Sequence, residues 1–133
     1  MKKFLVIILM VFGFTVSSYA DEEIYFDITG QSEASLINNQ WRWSPWESCS
    51  GTIKFLFTSK VATLSIYDTY PKTYYMIPST MTYFTDPKGA RAFNVKAKDH
   101  AGRIVLIKFH PSPTNQVYVC YPSSSYVWSI RKN

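Results

Sequence analysis

Apolar and polar residues alternate with a period of two along most of this chain, and the alternation restarts about every ten residues. A period of two places successive side chains on opposite faces of an extended strand, whereas a helix face repeats every three to four residues. Residues 92–98 show it clearly: Phe93, Val95 and Ala97 face one way, and Asn94, Lys96 and Lys98 the other. Residues 52–57 put Ile53, Phe55 and Phe57 on one face, and residues 61–67 do the same with Ala62, Leu64 and Ile66. Segments 23–29, 73–77, 81–84, 103–110, 117–121 and 126–130 are equally rich in β-branched and aromatic residues.

The breaks between these segments carry turn chemistry. Asp86-Pro87-Lys88-Gly89 and Asp99-His100-Ala101-Gly102 each place Asp first and Gly last, as short hairpin turns require. Strands joined by short local connections predict an all-β fold. The expected architecture is one antiparallel meander barrel of about eight strands, or a two-sheet sandwich. Residues 30–40 break the pattern and read as a short helix capped by Ser32, or as a long loop. Ile104-Val105-Leu106-Ile107 is apolar on both faces and calls for cover on both sides. The excursion over residues 30–46, or a second copy of the chain, is the expected cover.

The N-terminus reads as an export signal. Lys2 and Lys3 precede an apolar run over residues 4–16, and Ser18 and Ala20 set small residues at the cleavage positions before Asp21. The run is shorter than the roughly 20 apolar residues of a membrane-spanning helix. Residues 1–20 are therefore expected to be removed, leaving residues 21–133 as one exported domain without a transmembrane segment. Asn-x-Ser/Thr sequons are absent, in keeping with a bacterial secreted or periplasmic protein.

Export places the only two cysteines, Cys49 and Cys120, where disulfides persist. Their even number and wide spacing predict a single bridge, worth roughly 4 kcal/mol in the chain-entropy description. Without Lys2 and Lys3 the chain keeps twelve basic and nine acidic side chains, a mild excess that does not suggest a nucleic-acid partner.

Trp41, Trp43 and Trp46 hold three of the four tryptophans within six residues, with Arg42 between them. Large rigid rings beside an arginine are the composition of a contact surface, so these four residues form the first candidate binding site. Core packing is the competing explanation for the rings. Lys88, Arg91, Lys96, Lys98 and Arg103 form a second candidate, a basic hairpin suited to an anionic partner or simply a solvated sheet face. His100 and His110 lack sequence-adjacent ligand partners, and neither a metal site nor a cofactor is expected. No nucleophile elbow, zinc-protease helix or phosphate loop is present, so no catalytic residue is assigned. The functional expectation is a small exported module that binds a protein or glycan. A structural subunit of an envelope or extracellular assembly is the alternative, and a small hydrolase the third.

Overall fold

The computed structural model describes residues 22–132. The expected signal segment lies outside the described residues. Ten strands follow one another: β1 (Glu22–Ile37), β2 (Gln40–Trp43), β3 (Glu47–Phe57), β4 (Ala62–Tyr67), β5 (Lys72–Met76), β6 (Thr82–Thr85), β7 (Arg91–Lys98), β8 (Ile104–His110), β9 (Gln116–Cys120) and β10 (Ser124–Lys132). All pairings are antiparallel. The order β1-β3-β4-β5-β7-β8-β9-β10 closes through β10 onto β1, giving an eight-stranded barrel. Closure decides between the two expected architectures, because a sandwich would leave this seam open. β2 and β6 are short additions that lie along β1 and β7.

The period-two faces become inside and outside. Phe26, Phe57, Phe93 and Phe109 surround Phe55, with ring centroids 6.2, 6.1, 6.4 and 5.3 Å from it. Ile53, Leu64, Ile66, Val95, Ile107 and Trp128 complete a fully buried interior. Side chains thus fill this part of the barrel, and burying each large one contributes about 1.5–3 kcal/mol.

The Asp-to-Gly turns form as their chemistry requires. The Asp86 carboxylate accepts from the amides of Lys88 and Ala90, and the Asp99 carboxylate from those of Ala101 and Arg103, all at 2.9 Å. Gly89 and Gly102 take φ of 87° and 80°, which a side chain would disfavour.

Residues 30–40 are neither helix nor loop. β1 runs through them to Ile37, and Asn38 and Asn39, at φ 52° and 62°, turn the chain into β2. Positive φ at both turn residues matches the strand twist, and Asn tolerates it at low cost. A bulge at Thr29 reverses the facing of β1: Ile28 pairs with Ile130, but Gly30 pairs with Ser129. Ile24, Phe26 and Ile28 therefore point inward before the bulge, while Gly30, Ser32 and Ala34 point outward after it. The Ser44–Trp46 stretch crosses that outer face, where the Ser32 hydroxyl donates to the Ser44 carbonyl at 2.7 Å and the Ser44 hydroxyl accepts from the Glu33 amide at 3.0 Å. Gly30 lets it approach closely, since a Cβ there would lie 3.6 Å from the Trp46 ring and 3.0 Å from the Ser129 hydroxyl.

The expected cover over the outer side of residues 104–107 does not form: Ile104 stays 48% exposed and Leu106 half-buried, and only the far end of β8, at His110, is covered from within the chain. Phe84, His110, Tyr118 and Trp43 form an edge-to-face row, with successive centroids 5.5, 5.6 and 6.3 Å apart. Beneath its members Ala92 and Val127 are buried on the outside of the barrel. Asp86 anchors the row by accepting from Thr114 at 2.6 Å and pairing with His110 Nδ1 at 2.9 Å. His110 thus has the carboxylate partner that its sequence neighbours lack.

The expected disulfide is absent: Cys49 and Cys120 are both free thiols. Two geometric facts separate them. β3 and β9 are not neighbours, because β1 and β10 lie between them. Cys49 also shares the inward facing of Ile53 and Phe55, whereas Cys120 alternates outward from Val117 and Val119. The thiols lie on opposite faces of the barrel wall, and no rotamer brings such a pair to bonding distance.

Candidate functional site

One end of the barrel is open. The turns after β4, β7 and β9 surround it, and the β1–β2 hairpin rises beside it. Inside the mouth is a cavity of about 540 Å³, within the range of roughly 300–1,000 Å³ typical of small-ligand sites. Four tyrosines line it: Tyr70, Tyr74, Tyr121 and Tyr126. Because the Thr29 bulge has reversed β1, Gln31 and Glu33 also face this space, opposite Trp128 and Tyr126 of β10.

The mouth is braced by its own charges. Lys72 Nζ lies 3.2 Å from the Asp68 carboxylate and 5.5 Å from the centre of the Trp128 ring. The same carboxylate accepts from the Tyr70 amide at 2.9 Å, so the rim loop carrying Tyr70 is pinned at both ends. Arg103 Nε donates to Asp99 at 2.8 Å while its guanidinium lies 5.1 Å from the Tyr121 ring centre. The Tyr121 hydroxyl donates to the same Asp99 carboxylate at 3.1 Å. Burial alone would raise the Asp99 carboxyl, but the Arg103 amide, the Tyr121 hydroxyl and the Arg103 side chain outweigh it and keep the acid below its ordinary pKa. Burial, and then a hydrogen bond with Tyr121, push the Tyr74 phenol well above its usual value. Cys49 also lines the cavity; burial first, then the charges of Asp68 and Glu47, raise its thiol pKa and favour the protonated form.

The Trp-bearing segment forms the outer face of the hairpin. Register pairs Trp41 with Leu36 and Trp43 with Ala34, which places both rings on one side, while Arg42, opposite Ser35, points to the other. Trp46 joins that outer side over Gly30. All three rings stay substantially exposed, at 45%, 48% and 51% for Trp41, Trp43 and Trp46, whereas Trp128 is fully buried. Leu36, opposite Trp41, extends this exposed apolar face toward the hairpin tip, while Ile37, opposite Gln40, is exposed on the other side.

The basic residues do not form one cluster. Lys88 and Arg91 lie at the end of β7 far from the mouth, and Lys96 and Lys98 continue along the same strand, which spans about 23 Å from Arg91 to Lys98 at strand rise. Arg103 turns into the mouth and is paired there.

Sequence reasoning assigned the hairpin tryptophans but missed the mouth. Its lining comes from five separated chain segments, and the inward facing of Gln31 and Glu33 depends on a bulge that alternation alone does not reveal. The detectable signals were Asn38-Asn39 as a two-residue turn and the tyrosines flanking three connections. Among the described residues no group of three or more metal-binding side chains occurs, and no helix is long and apolar enough to cross a membrane. No family model, curated protein or solved structure matches the chain.

Proposed function

We propose that this chain is a small β-barrel binding module that recognises a protein or glycan in the periplasm or outside the cell. The observation that carries the reading is the Trp41-Trp43-Trp46 face. Three large rings remain about half exposed on a hairpin that projects beside an open cavity. Such rings lose little conformational entropy on contact and bury a large area, which is why contact surfaces concentrate them. Exposed apolar surface of this size also carries an aggregation cost that a partner would relieve. The mouth contributes hydrogen-bonding groups and aromatic faces, a chemistry for holding a ligand.

Affinity capture from cell-envelope or culture extracts, with mass-spectrometric identification, tests the reading. The wild-type domain should retain a partner that Trp41→Ala and Trp43→Ala lose, while Lys96→Ala retains it. Equal capture by all variants would refute the hairpin as the contact surface. Concentration-dependent self-association abolished by Trp41→Ala would instead assign the same face to contacts between copies, the property of an assembly subunit.

A further inference from the structure

We propose that the barrel mouth is a second site, separate from the hairpin, built for an uncharged sugar ring such as the end of a neutral glycan chain. The inference rests on the reading of the chain as a binding module and adds the ligand class of the cavity.

Charge balance separates the ligand classes. The Lys and Arg cations in the mouth are already paired, Lys72 with Asp68 and Arg103 with Asp99. An anionic ligand would have to displace a carboxylate from each, so phosphates and acidic glycans are disfavoured. A cationic ligand would find Trp128 and Tyr121 already facing Lys72 and Arg103. The one unpaired carboxylate of the mouth among the described residues, Glu33, is solvent-exposed, where a single ion pair contributes little. A purely apolar ligand would strand the polar lining, at roughly 1–3 kcal/mol for each buried unpaired group.

What remains uncommitted fits hydroxyl-rich rings. Tyr70 is 76% exposed on a loop whose backbone Asp68 holds in place, so the chain beneath its ring needs little further ordering. Tyr126 stacks on Trp128 at 6.1 Å and 25°, with Tyr121 edge-on at 6.3 Å, which fixes its ring. Among the described residues the side chains of Gln31, Glu33 and Ser124 take part in no hydrogen bond or ion pair, and all three line the cavity. Glu33 offers two strong acceptors, Gln31 a donor and an acceptor, and Ser124 either. Adjacent sugar hydroxyls pair with such groups, while the apolar face of the ring lies on an aromatic platform.

Isothermal titration calorimetry with neutral malto-, cello- and chito-oligosaccharides, beside sulfated and uronic-acid-containing oligosaccharides, tests the site. A neutral series should bind. Tyr70→Ala and Glu33→Gln should each weaken it about tenfold without lowering the melting temperature, and Trp41→Ala should leave it unchanged. Preference for the acidic series, binding insensitive to both mouth variants, or no binding by any sugar would overturn the proposal. If sugars fail while Trp41-dependent capture of a partner persists, the mouth assignment falls and the binding-module reading stands. If both fail, both fall.

Discussion

Replacing the tryptophans one at a time should separate core from surface by several kcal/mol. Trp128 is fully buried in the barrel, stacked beneath Tyr126 and facing the Lys72 ammonium. Trp128→Ala removes that volume from a packed interior and should cost about 3–5 kcal/mol. Trp41 keeps 45% of its surface in water and pairs with Leu36 across its own hairpin, where neighbours collapse readily into the space left behind. Scaling the full cost by the buried half, and removing most of the cavity contribution, leaves about 1 kcal/mol for Trp41→Ala. For a domain of this size 1 kcal/mol corresponds to roughly 4 °C. Thermal melts followed by circular dichroism should therefore place Trp41→Ala within a few degrees of wild type and Trp128→Ala at least 12 °C below it, or unfolded. Urea midpoints should give the same order. A Trp41→Ala loss as large as that of Trp128→Ala would refute the exposure argument, and with it the hairpin as a free contact surface.

Two further outcomes follow from the geometry. Both thiols should alkylate in denaturant without prior reduction, and native Cys49 should react only slowly at neutral pH because its thiol is held protonated; a bridged peptide in non-reducing mass mapping would contradict the opposite facings of β3 and β9. The Thr114 hydroxyl, with the His110 ring and the amides of Ala90 and Lys88, outweighs burial and holds the Asp86 carboxyl well below the usual carboxylate range. Its stabilising contribution is then complete above the unfolded value of about 3.9 and fades as pH falls below it toward the folded value, so acid titration of Thr114→Val should show a shallower loss of stability below pH ~4 than wild type, and an unchanged slope would contradict the assignment.

Most of the barrel was legible because half-buried strands leave a strong local signature. The inward sets Phe93-Val95-Ala97 and Ile53-Phe55-Phe57 could be read directly, and Asp86 and Asp99 mark their turns through side-chain bonds to amides a few residues on. The second half of β1 was not legible. Its outward face is Gly30, Ser32 and Ala34, small residues that leave room for the Ser44–Trp46 crossing, so the apolar half of the alternation is missing there. The disulfide expectation failed for a different reason. Cysteine number and compartment speak to redox chemistry, but the facing of Cys49 and Cys120 depends on strand order, which places β1 and β10 between their strands. The mouth gathers residues from Gln31 to Tyr126, a juxtaposition that only closure of the barrel creates. The tryptophan cluster was visible as composition; whether its rings were core or surface required the register of β2 against β1.

On the proposed reading, the functional end of the barrel is the mouth with its tryptophan hairpin. Amide chemical-shift mapping of the labelled domain, titrated with a captured partner or a neutral oligosaccharide, tests it most directly. With a captured partner the shifts should concentrate in the hairpin, and with a neutral oligosaccharide in the turns bearing Tyr70, Asp99 and Tyr121, the far-end turn at Lys88 staying silent in both. Shifts centred on Lys88, Arg91 and Lys96, with the mouth and hairpin unmoved, would contradict it.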